Sequence, residues 1–99
     1  MKLPNTTYQK IFNYFGYENQ RRKMNEEMQE LNDAILLYET GNGDINNVIE
    51  EIGDLFNVIN GFMEFYEITH DEVENIMKHK LDRTIERIDS GYYGSRKSN

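Results

Sequence analysis

The chain has 99 residues, one proline, no cysteine, and 18 acidic against 11 basic residues, for a formal net charge of −7. That length allows one domain with one modest core, the missing cysteines exclude a disulfide frame and a thiolate zinc site, and the charge repels nucleic-acid phosphates. No run reaches the roughly 18 apolar residues that span a bilayer, and MKLPNTTYQK has no apolar leader core, so a soluble, cytoplasmic protein with no nucleic-acid or membrane partner is expected.

NTTYQKIFNYFG reads as a short helix with Asn5 or Thr6 as N-cap, Ile11, Phe12 and Phe15 on the buried side, and Gly16 as its end. A long second helix is predicted from about Tyr17 to Glu39. At about 100° per residue, Met24, Met28, Leu31, Ile35 and Tyr38 collect into one core-facing stripe. Glu27 falls inside that stripe and Glu30 borders it, whereas Glu26 and Asp33 point roughly opposite. An ionised carboxylate in an apolar contact neutralises, pairs with a cation or binds a metal, so Glu27 and Glu30 call for a partner.

TGNGD is a turn whose Asp44 caps a third helix, predicted from about Ile45 to Glu67. Its stripe runs from Ile45 and Val48 through Ile52, Leu55 and Phe56 to Ile59, Phe62, Met63 and Tyr66. THDE is a capping box, Thr69 with Glu72. It opens a fourth helix through Val73, Met77, Leu81, Ile85 and Ile88 to a stop at Gly91. The fold class is therefore all-α, an antiparallel helical bundle of about four helices. Residues 1–91 form the single domain and residues 92–99 a loose polar tail. The apolar surface left over on so small a chain predicts self-association.

The third helix repeats the oddity of the second. In IEEIGDLFN the acids Glu51 and Asp54 share one side, Asn57 continues the row a turn later, and Glu50 points away. Gly53 sits between the pair, where a missing side chain lets a backbone or ligand come close. If the two helices pack antiparallel, Glu27, Glu30, Glu51 and Asp54 converge, and their repulsion is relieved by protonation or by hard divalent cations. Oxygen ligands alone favour Mg²⁺, with Mn²⁺ as substitute, and such a site suits phosphate chemistry. Lys23, one turn before Glu27, and Lys80, Arg83 and Arg87 on the fourth helix are cations placed to contact phosphates.

QRRKMNEEMQEL, then EEIGDLFNVI, then KHKLDRTIERI resemble the MazG-like all-α nucleoside triphosphate pyrophosphohydrolases over about residues 8–93. FGYENQRRK and RIDSGYY look like the short single-domain versions of Gram-positive bacteria and their phages, which would place the protein in the host cytoplasm if phage-encoded. The resemblance implies an enzyme that cleaves a nucleoside or deoxynucleoside triphosphate between the α and β phosphates, giving a monophosphate and pyrophosphate. It makes Glu27, Glu30, Glu51 and Asp54 the catalytic Mg²⁺ ligands, with a water activated at the metal as nucleophile. Asn57 and Lys80 become substrate contacts, joined by Lys23 and Arg83. It further implies a homodimer or homotetramer. No base-specificity element stands out, so dUTPase-like and phosphoribosyl-ATP-hydrolysing activities remain open within the same chemistry.

Simpler readings compete with each of these. Acids three apart occur on solvated helix faces, Lys80 alone is a snorkelling surface lysine, and Arg83 and Arg87 pair with neighbouring acids. His70 and His79 lack a partner at metal-ligand spacing, and Tyr92, Tyr93, Arg96 and Lys97 belong to a frayed end. The rival to the enzyme is a non-catalytic acidic helical dimer that binds a nucleotide signal or a basic protein without cleaving anything.

Overall fold

Four helices and no strand make up residues 5–94, the described part of the computed structural model, in which the side chains of Asn5 and Thr6 are left aside. They are α1 (Asn5–Phe15), α2 (Tyr17–Glu39), α3 (Ile45–Phe65) and α4 (His70–Asp89). Asn5 is already helical, so the cap expected at Asn5 or Thr6 rests on side chains outside the described residues, as does the tail beyond Gly94. No described helix is long and apolar enough to cross a membrane.

The chain divides into two compact units, Met1–Glu67 and Ile68–Asn99. In the first, α2 and α3 form an antiparallel pair and α1 packs on both. The turn between them follows from its glycines. Gly41 takes φ +80° and donates to the Tyr38 carbonyl while Asn42 donates to that of Leu37, closing the last turn of α2. Asp44 then accepts from the Asn46 N–H at 2.9 Å and starts α3. At the far end of the pair the Tyr17 and Tyr66 hydroxyls meet at 2.8 Å. Between them Phe12 of α1 stacks on Phe65 at 4.6 Å between ring centroids and meets Phe62 edge-on at 5.3 Å. Phe12 packs against Gly61, whose missing side chain leaves room for the ring at the α1–α3 contact.

Both long stripes differ from the sequence-based expectation. On α2 the buried residues are Gln20, Glu27 and Ala34, seven apart, with Met24 and Leu31 beside them. Met28, Ile35 and Tyr38 lie on the exposed side. The contact line therefore runs through Glu27 rather than through Met28 and Ile35, with the small Ala34 buried on it. On α3 the expected stripe divides between two rows, which also take in Val58 and Ile49, two residues outside the expectation. Val48, Leu55, Val58 and Phe62 face inward, while Ile45, Ile49, Ile52, Phe56 and Ile59 form an outer row that is 37–59% exposed. Likewise, of the three expected α1 core residues, Phe12 is buried, whereas Ile11 and Phe15 are exposed. Sequence periodicity marks a helix as apolar on a wide arc but does not say which part of the arc has a neighbour.

In the second unit Thr69 and Glu72 form the full reciprocal capping box of α4, the Thr69 N–H donating to Glu72 Oε1 at 2.9 Å and the Glu72 N–H to Thr69 Oγ1 at 3.1 Å. These bonds to Thr69, the backbone one first, hold the Glu72 carboxyl below the usual range. Gly91, at φ +75°, ends the helix by the same bonding scheme as Gly41. Arg87 lies over the Tyr92 ring at 4.6 Å, and Lys78 pairs with Asp82 at 3.1 Å. No residue of α4 is buried.

Candidate active site

Packing α2 against α3 brings carboxylates together. Oxygens of Glu27, Glu51 and Asp54 lie within 4.8 Å of one another, and this is a metal-compatible group of acids among the described residues. Glu27 is only 3% exposed. Its Oε1 accepts from Lys23 Nζ at 3.2 Å, but its Oε2 has no hydrogen-bond partner, and neither has the buried Oε2 of Glu51. Two buried carboxylate oxygens without partners, in contact range of a third acid, leave their negative charge uncompensated.

Electrostatics record the strain. Glu51 is pushed up to about 7, first by loss of hydration, then by the adjoining Glu30 carboxyl with which it can share a proton, and then by the charges of Glu30, Glu27 and Asp54. Lys23 is held above the usual lysine range, chiefly by its bond to Glu27, with Asp54 and Glu30 adding to the pull. Glu30 is therefore next to Glu51, although it is exposed and stands outside the group of three. One lysine faces four acids, so the cluster keeps an excess of negative charge that a divalent cation would match.

At Gly53 nothing lies within 4 Å of the place its Cβ would occupy, so no described part of the backbone uses the opening and the space beside the acids stays free. Asn57 does continue the acidic row, and Tyr8 of α1 donates to its Oδ1 at 3.1 Å. Lys80 and Arg83 line a shallow hollow on α4 with Ile76, His79, Asp82 and Glu86.

Beside the acids opens a cavity of about 630 Å³ between α1, α2 and α3, a size typical of small-molecule sites. Asp54, Lys23 and Asn57 border it, and its apolar wall is Ile11, Phe12, Phe15 and Val58. Glu26, expected roughly opposite the apolar stripe, also lies on its rim. Nothing in the apolar periodicity or the acidic motifs marks Tyr8 or Gln20. For Gln20 the signal was present: it precedes Glu27 by the seven residues that also separate Glu27 from Ala34.

The sequence profile of phosphoribosyl-ATP pyrophosphohydrolase matches residues 3–81, most of the chain and all four of the acids. The chain belongs to this family. It is an all-α nucleotide pyrophosphohydrolase family related to the MazG-like enzymes that the motifs resemble, although membership of MazG itself is not what the match supports. No curated protein and no solved structure shows significant similarity to the chain.

Proposed function

We propose that the protein is a Mg²⁺-dependent pyrophosphohydrolase that cleaves a nucleoside or deoxynucleoside triphosphate between the α and β phosphates. The observation that carries the reading is the pair of partnerless buried oxygens, Glu27 Oε2 and Glu51 Oε2, in a three-carboxylate group on a chain of this family. Their oxygen-only donor set fits Mg²⁺ or Mn²⁺, with Glu27, Glu51 and Asp54 as ligands and Glu30 completing the set beside Glu51. Bound there, the cation would offset phosphate charge and lower the pKa of a coordinated water. Lys23 orients Glu27 and balances part of the charge. Asn57 contacts the substrate from the cavity side; Lys80 and Arg83 are carried as phosphate contacts by the family resemblance alone. The protein acts as a cytoplasmic homodimer or homotetramer whose contact surface is the outer row of α3, Ile45, Ile49, Ile52, Phe56 and Ile59, spaced alternately four and three residues apart as in a coiled-coil seam.

The test is a panel of ribo- and deoxynucleoside triphosphates together with phosphoribosyl-ATP, the compound in the family's name, incubated with Mg²⁺ or Mn²⁺ and followed for pyrophosphate release. Turnover of at least one member, abolished by Glu51→Gln and Asp54→Asn, is expected. Turnover of none, or turnover indifferent to both substitutions, would remove the reading.

A further inference from the structure

The outer row of α3 is an apolar strip that the chain leaves open. Ile45, Ile49, Ile52, Phe56 and Ile59 are 37–59% exposed, and Met63, half-buried, continues the row by one more step of four. A contiguous apolar strip of this kind on a small protein marks an interaction surface. Two features say what fits it. The first is Gly53. A glycine in the middle of a helix costs roughly 1 kcal/mol relative to alanine, and nothing lies within 4 Å of the place its Cβ would take. At about 100° per residue Gly53 stands on the flank of the row, beside Ile52 and Phe56, so its opening faces whatever sits on the row. The second is charge. The chain carries a net −7, and two such copies repel unless the flanks of their contact are uncharged. On the Gly53 side the flank is Asn46, Gly53 and Asn60, seven apart and without charge, and the Asn60 amide donates to the Phe56 carbonyl of its own helix at 2.8 Å. The opposite flank is Val48, Leu55 and Phe62, which face inward.

We propose that this row packs antiparallel against the same row of a second copy, Ile52 against the partner's Phe56, Ile49 against the partner's Ile59 and Ile45 against the partner's Met63, with the two Gly53 residues facing each other across the two-fold axis. The pairing rests on the proposed self-association through α3 and adds its occupant and register. Each pair lies at equal distances on either side of position 54, so one two-fold axis beside that position matches all six residues and leaves none over. In an antiparallel seam like flanks meet: Gly53 comes opposite Gly53, where two absent side chains let the helices approach. A parallel seam would set the Gly53 flank against the partner's Val48 and Leu55 flank, whose side chains are already committed to the core. Asp54 lies opposite the row on its helix, so the acid groups of the two copies face away from each other and each stays open on its own side.

The chain has no cysteine, so introduced ones report the pairing directly. Ile49→Cys mixed with Ile59→Cys and oxidised with copper–phenanthroline should give a disulfide-linked mixed pair on a non-reducing gel, because paired positions come within disulfide reach, and neither variant should link alone. Gly53→Gln adds bulk with a good helix former and should weaken association at least about tenfold by sedimentation, whereas helix propensity alone would leave association unchanged. Linking of Ile49→Cys with itself marks a parallel seam, absence of linking in an oligomer of unchanged mass marks another occupant of the row such as α4, and unchanged association in Gly53→Gln marks a contact without close approach. Each of these overturns the proposal, as does a wild-type mass of one chain. Pyrophosphate release without mixed linking sinks the pairing alone; mixed linking without pyrophosphate release sinks the enzyme reading alone.

Discussion

Replacing Glu27 by glutamine separates the metal site from ordinary helix stability. In the metal-free protein the substitution removes one of four crowded negative charges and keeps the side-chain volume. It also gives up the ion pair with Lys23, whose side chain is 53% exposed, so the loss stays under about 1 kcal/mol. These two effects oppose, and the metal-free melting temperature should move little. With Mg²⁺ the outcome differs. Binding to the native state alone stabilises by RT ln(1 + [L]/Kd), about 2.7 kcal/mol at a hundred times Kd, and for a domain of this size that amounts to a rise of roughly 10–20 °C. Thermal melts monitored by circular dichroism, with Mg²⁺ titrated into wild type, Glu27→Gln and Glu50→Gln, read the difference directly. Glu50 is exposed and outside the acid group, so its variant should keep the full shift while Glu27→Gln loses most of it. An equal Mg²⁺ shift in wild type and Glu27→Gln, or no shift in either, refutes the assignment of the partnerless Oε2 as a ligand.

The raised Glu51 pKa makes the metal-free protein pH-dependent with a definite sign. Its folded value of about 7 exceeds the ordinary 4.5, so the native state binds the extra proton and the contribution, full below about 4.5, is lost as pH rises toward 7. The metal-free melting temperature should therefore fall between pH 5 and 7.5, and Glu51→Gln should flatten that slope; a slope of the opposite sign contradicts it. Phe12→Ala should cost about 3–5 kcal/mol, because the ring joins α1 to Phe62 and Phe65, and denaturant melts should show this as a lower midpoint. Thr69→Ala removes the cap acceptor of α4 and should cost about 1 kcal/mol, visible as a small loss of helical signal on heating. If the protein assembles as proposed, Ile49→Glu with Phe56→Glu, on the outer row of α3, should lower its mass by light scattering to that of a monomer, and an unchanged oligomeric mass would place the contact elsewhere.

Local signals were the legible part of the sequence. Asp44, Thr69 with Glu72, Gly41 and Gly91 end or start helices through bonds to their own neighbours, so their meaning does not depend on the rest of the fold. The acid pairs were legible for the same reason: spacing alone puts Glu51 and Asp54 on one side of α3. What escaped was everything decided by a partner helix. Met28 and Ile35 carry the same apolar signal as Leu31, yet lie on the exposed side, because α1 and α3 cover only one side of α2. Gln20 is the converse. A glutamine in the polar run ENQRRK gives no apolar signal, and it is buried because it shares the heptad position of Glu27 and Ala34. Burial of these two polar residues has one physical consequence: the α2 face that meets α3 and α1 contributes less hydrophobic stabilisation than a leucine in each place would. A fold this small loses stability there, and a cation held by Glu27 would restore part of it. The metal-free protein should therefore be the less stable form, and Gln20→Leu should raise its melting temperature by replacing a buried amide with apolar surface.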